Sequence, residues 1–146
     1  ELYAGRVMFP GTDNNHMLLK MMDLKGRFPV KMLKNHARVY TDLLLLEPHF
    51  TDLQGTFKFQ QRVLDPRTKE PRLNYLDILK PKTTIAAIFK TTKAGADDPK
   101  AVLDLADLLE ATTSLNPENR PAVADVAKHR FLAPPAPAPA AAAITS

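Results

Sequence analysis

Apolar residues recur at helical spacing from Met17 through Leu18, Met21, Met22 and Leu24, with Asp13 placed to cap the start and Gly26 to stop the run. Such a stripe has to bury against something. Further along the period falls to two: Phe57, Phe59 and Val63 alternate with Lys58, Gln60 and Arg62, which predicts a strand with one apolar face. Asp65-Pro66-Arg67-Thr68 then turns the chain, and Leu73-Asn74-Tyr75-Leu76 returns as its partner, so a hairpin is predicted. A two-stranded ribbon is marginal alone and needs helices to lean on. Leu43 to Leu46 is the candidate contact, as helix or as strand.

The second half of the chain is helical again. Pro81 to Lys93 reads as a connection of undetermined structure, and Ala94-Gly95-Ala96-Asp97-Asp98-Pro99 prepares a helix start, with Asp97 or Asp98 as cap and Pro99 in the first turn, where its missing amide costs nothing. Val102, Leu105, Leu108, Leu109 and Thr112 form that helix's inner face, which ends near Asn116-Pro117; a shorter helix follows and closes on His129-Arg130-Phe131-Leu132. At the other end, Glu1 to Gly5 followed by Phe9-Pro10-Gly11 reads as the close of a helix already under way and then a tight turn, so the chain is expected to continue upstream. From Ala133 the composition turns to proline and alanine without apolar periodicity, which predicts an extended, disordered tail over 133–146. The pattern as a whole predicts one mainly α unit over 1–132, with residues 35–81 carrying the hairpin.

Composition narrows the chemistry. A chain of 146 residues, 45% hydrophobic, is long enough to close one core. The net charge of +4 is lopsided: residues 1–40 hold seven Lys/Arg against three Asp/Glu. No aromatic or glycine-rich recognition pattern sits among those charges, so a solvated basic surface is favoured over a nucleic-acid site. The absence of cysteine excludes disulfides and thiolate metal sites and suits an intracellular setting. The longest aliphatic run, Leu43 to Leu46, falls far short of the roughly 20 residues a membrane helix needs.

The four histidines, at 16, 36, 49 and 129, lack the i, i+4 spacing of a metal pair, and Ser114 has neither a nearby histidine nor a nucleophile elbow. Asp104 and Asp107, three apart, read as a solvated acidic edge. Met17, Met21 and Lys25 are candidates for docking a partner, since methionine is flexible and polarizable, although packing in the core is the favoured role of the methionine stripe.

One block is more distinctive. Asp107-Leu-Leu leads to Leu115-Asn-Pro117-Glu-Asn-Arg120 and then to the short helix ending in His129-Arg-Phe131. This order resembles the last two helices of the eukaryotic protein kinase large lobe, where D-L-L precedes L-D-P-x-x-R and a helix ending H-P-x-F. Asn116, Ala122, Ala127 and Arg130 depart from that pattern. Glu1-Leu-Tyr-x-Gly with Phe9-Pro-Gly, Asn14-Asn-His-Met-Leu, Asp23-Leu-Lys-Gly-Arg-Phe-Pro29 and Lys31-Met are similar, more narrowly, to the pre-mRNA-processing factor four kinase family, splicing-associated serine/threonine enzymes on the DYRK-type branch. The resemblance spans residues 1–132.

That resemblance implies the distal part of a kinase large lobe in an ATP- and Mg-dependent, nuclear, splicing-associated enzyme. Its partners would be the upstream kinase domain and protein substrates, splicing factors among them. It also implies that Arg120 anchors a buried ion pair with the glutamate of an Ala-Pro-Glu motif, with Leu115, Pro117 and His129 as fold-motif positions. The glycine-rich phosphate cover, the pairing lysine, the catalytic aspartate and the Asp-Phe-Gly motif that such catalysis requires do not occur in these 146 residues. No catalytic, ATP-binding or metal residue is therefore assigned within the chain, and Arg120 is expected to turn to water or to another carboxylate. A pseudokinase or interaction scaffold is the competing reading, motivated by Ala122, Thr112 and Arg130, which weaken positions that kinases usually fill with a capping hydroxyl, a larger apolar residue and proline.

Overall fold

A computed structural model describes residues 3–77, 80–92 and 97–133. Helix α1 (Asn14–Lys25) starts where the pattern places it, because the Asp13 carboxylate accepts the His16 amide at 2.8 Å, and it stops at Gly26, whose φ of 79° suits a residue without a side chain. That backbone bond from His16 also holds the Asp13 carboxyl below its ordinary pKa. Before the helix, Gly11 donates to Phe9 O at 2.9 Å and packs against the α1 backbone. Helix α2 (Val30–Arg38) follows and runs directly into one π-helical turn, Val39–Leu43.

Three antiparallel strands come next, β1 (Phe50–Leu53), β2 (Thr56–Leu64) and β3 (Pro71–Leu76), in the order β1-β2-β3. Phe59 faces Phe50 on one side and Leu76 on the other. The alternating stretch forms β2 and the returning stretch forms β3. Asp65 closes the connection between them by accepting the amides of Arg67 and Thr68 at 2.9 and 3.0 Å. The hairpin pattern did not mark β1. It joins β2 through Gln54 and Gly55, both at positive φ, the geometry that a two-residue hairpin turn favours. The sheet thus has three strands where the alternation suggested two.

Helix α3 (Ile85–Thr91), capped by Thr84, occupies a stretch left undetermined by its sequence, and α4 (Pro99–Thr112) starts on an Asp98 cap. A 3₁₀ turn, Pro117–Asn119, leads to the short α5 (Val123–Val126), whose N-cap Ala122 supplies no side-chain bond. The helix-end reading of Glu1 and Leu2, the Ala94-Gly95-Ala96 lead-in and the proline/alanine tail beyond Ala133 lie outside the described residues. Among the described residues no helix is long and apolar enough to cross a membrane.

Burial divides the interior in two. Met22, Leu33, Phe50 and Phe59 form one core, joining α1, α2 and the sheet. Leu24, Ile85, Phe89 and Ala106 form the other, joining α1, α3 and α4. The expected contact from Leu43 to Leu46 onto the hairpin does not form: these leucines are 51% to 84% exposed, and Leu45 sits at a φ of 52°. The sheet leans on Met22 and Leu33 instead.

Candidate functional site

The corner between α4 and α5 is built from short-range backbone bonds. Threonines 112 and 113 donate their hydroxyls to Leu108 O and Leu109 O at 2.9 and 2.5 Å, back-bonding that competes with the helix ladder and ends α4. Asn116 then accepts the Glu118 amide at 3.2 Å and caps the 3₁₀ turn that Pro117 begins. Arg120 leaves that turn in extended backbone and donates Nε to Ser114 O at 2.8 Å. Its side chain is exposed, and among the described residues no carboxylate lies within salt-bridge distance of it. A backbone carbonyl, rather than a carboxylate, orients the guanidinium. Leu115 is half-buried beneath this turn and Pro117 is exposed.

The acidic edge of α4 is not simply solvated. Arg130 Nε meets Asp104 Oδ1 at 2.6 Å and its NH2 meets Asp107 Oδ2 at 2.8 Å, so one planar fork spans two carboxylates a turn apart. His129 Nδ1 accepts the Phe131 amide at 3.2 Å, which leaves the hydrogen on Nε2, facing Asp107 Oδ2 at 3.4 Å. Asp107 therefore takes both His129 and Arg130, and the segment after α5 is pinned to α4. Arg130, one of the departures from the family pattern, does much of the pinning. The signal available in the sequence was the spacing Asp104, Asp107, Glu110, which repeats every three residues along one side of α4.

The third acid of that row, Glu110, reaches the docking candidates. Lys25 Nζ donates to the Glu110 carboxylate and, at 2.9 Å, to the Glu110 carbonyl, with only 8% of the Lys25 side chain exposed. Its ammonium is committed to the interior and is not presented on a surface. Met17 and Met21 are half-buried, and Met22 is a core residue. The methionine stripe thus packs mainly inward.

Beside α1 and α3 a mostly apolar cavity of about 610 Å³ is lined by Tyr3, Val7, Met8, Leu24, Phe89 and Leu105, among others. Among the described residues no group of three His, Asp or Glu side chains is gathered as a metal site would require.

No protein-family model matches the chain. Individual proteins do. Over 132 residues the chain is 36% identical to a protein of Schizosaccharomyces pombe described as serine/threonine-protein kinase prp4, covering 90% of this chain and 26% of that protein. Over 136 residues it is 32% identical to serine/threonine-protein kinase prpf4B of Dictyostelium discoideum, covering 92% of this chain and 16% of that protein. The chain therefore spans about a quarter or less of the length of these curated relatives.

Proposed function

Because the chain is homologous to a segment of the Prp4-type serine/threonine kinases, we propose that it forms the distal part of the large lobe of an ATP-dependent serine/threonine protein kinase, with residues 35–81 as an insert, and serves there as scaffold and docking surface. The observation that carries this reading is the likeness to two such kinases over nine-tenths of the chain. The residues present do not fit an ATP and magnesium site: the phosphate-binding and catalytic motifs do not occur in the sequence. No step of phosphoryl transfer is assigned to these side chains.

Two features suit such an arrangement. Arg120 presents the outer fork of its guanidinium to solvent while Ser114 O fixes its Nε, a geometry ready to take a carboxylate at two points, as the Ala-Pro-Glu glutamate would. The apolar cavity beside Tyr3 and Phe89 is a seat for further large-lobe residues. A role in pre-mRNA splicing, a nuclear location and splicing-factor substrates follow from the family resemblance.

The test compares the full-length protein with the 146-residue chain, each given ATP, magnesium and a serine/threonine substrate. The full-length protein is expected to transfer phosphate and the isolated chain to transfer none. Transfer by the chain alone overturns the scaffold assignment. An inert full-length protein lacking the His-Arg-Asp and Asp-Phe-Gly motifs upstream establishes a pseudokinase instead.

A further inference from the structure

Three polar side chains, Asn15 and His49 buried and His36 half-buried, are hydrogen-bonded in an order that fixes where their protons sit. The Arg62 amide donates to Asn15 Oδ1 at 2.9 Å, which orients the Asn15 amide so that its Nδ2 donates to Gln60 O at 2.8 Å and faces His49 Nδ1 at 3.0 Å. An amide nitrogen only donates, so His49 Nδ1 has to accept. The His49 backbone N–H in turn donates to His36 Nε2 at 2.9 Å, so that nitrogen accepts as well. Both rings thus need a lone pair at the bonded atom. A proton on either would set donor against donor.

These bonds tie three separate pieces of chain together: Asn15 belongs to α1, His36 to α2, and His49 immediately precedes β1. Asn15 and His49 are 5% and 6% exposed, so a lost bond is not readily replaced by water.

We propose that His36 and His49 form a proton-sensitive latch, which holds the segment from Val39 to Phe50 against α1 and α2 while both rings are neutral and releases it when either is protonated. Among the groups facing the latch, most favour neutral rings and one carboxylate opposes them. His36 is surrounded by the rings of Tyr40, His49 and Phe50, with centroids at 4.1, 5.6 and 5.5 Å. Around His49 stand Tyr40, the Arg62 guanidinium of β2 and the Asp13 carboxylate that caps α1; they line one cavity together with Glu47, whose carboxylate lies 3.9 Å from Arg62. Asp13 alone favours the charged ring, while burial, first, and then Arg62 and His36 hold His49 below the ordinary histidine range; burial does the same for His36. What the latch controls is the loop bearing Leu43 to Leu46, already exposed in the neutral state.

The experiment uses the full-length protein. Amide hydrogen exchange in peptides covering residues 36–50 is measured at about pH 7.5 and about pH 5.5 and divided by intrinsic rates, and protection is expected to fall about tenfold on acidification, the equivalent of one lost hydrogen bond. In H36Q/H49N each ring acceptor becomes an amide oxygen that does not titrate, and the pH step is expected to vanish with protection at the higher pH retained. Equal protection of the wild type at both pH values, or a pH step surviving in H36Q/H49N, overturns the proposal. Should that variant not fold, the wild type decides: a loss of protection over residues 36–50 whose midpoint follows the titration of the His36 or His49 ring, read from exchange of the ring C–H, supports the latch, and a loss that follows neither ring removes it.

Discussion

The Lys25 ammonium at the end of α1 lies against both the carboxylate and the backbone carbonyl of Glu110 in the last turn of α4, and the other carboxylate oxygen of Glu110 accepts the Ile85 amide at 3.0 Å. The Lys25 side chain thus caps the C-terminal end of α4, the Glu110 carboxylate caps the N-terminal end of α3, and the ion pair between them ties both to α1. Lysine beside those last carbonyls also complements the helix dipole. Removing either partner strands a charge. Breaking a buried pair costs about 3 to 5 kcal/mol, and the 37% exposure of Glu110 lowers the expected loss to about 2 kcal/mol. Chemical denaturation of Lys25→Ala, Glu110→Ala and the double variant should give a strongly non-additive cycle; additive losses would mean that the pair contributes nothing as a pair.

The Arg130 bridge makes a different prediction, because it is more exposed. Arg130→Pro, which places there the residue of the kinase pattern the sequence resembles, should loosen the segment after α5, since proline offers neither carboxylate a partner. The expected loss is about 1 kcal/mol, shrinking as salt is raised. Thermal unfolding at low and high ionic strength checks it, and a variant as stable as the wild type at low salt would contradict the bridge.

For the interior histidines the sign is fixed by their neutral folded form. Both have folded-state pKa values below 6.5, so the unfolded chain takes up protons first as pH falls. Their stabilising contribution is therefore complete above about pH 6.5 and declines below it. Denaturation midpoints should stay flat from about pH 8 to about pH 7 and then drop toward about pH 5, before the carboxylates titrate. Stability that rises on acidification through that range would contradict it.

Arg120 should matter to activity more than to the stability of this chain, because its one described partner is a carbonyl. On the proposed kinase reading, Arg120→Ala in the full-length protein is expected to lower phosphate transfer at least tenfold, the equivalent of about 1.4 kcal/mol. Arg120→Lys should recover little, since a point charge cannot grip a carboxylate at two places. Unchanged activity in both variants would leave Arg120 without the anchoring role.

Much of this architecture was legible along the chain, for reasons that differ by element. Asp13 and Asp98 act within three residues of themselves, so local spacing marked those helix starts, the second as one of two neighbouring candidates. The alternation from Phe57 to Val63 marked β2 for the same reason. What escaped depends on partners distant in sequence. Gln60 stands on the polar side of that alternation yet is 8% exposed, and its carbonyl is held by Asn15, 45 residues away. Phe50-Thr51-Asp52-Leu53 is too short for a period to show. Lys25 looked like a surface lysine until Glu110, 85 residues on, was placed beside it.

Helix α1 sends Met22 into one apolar cluster and Leu24, two residues later, into the other. A rod gripped on opposite flanks has no free side along which the halves can part, so the sheet and the α3/α4 layer should melt together. Dividing the polypeptide near residue 80 would leave two remnants, each missing a wall, in place of two smaller proteins.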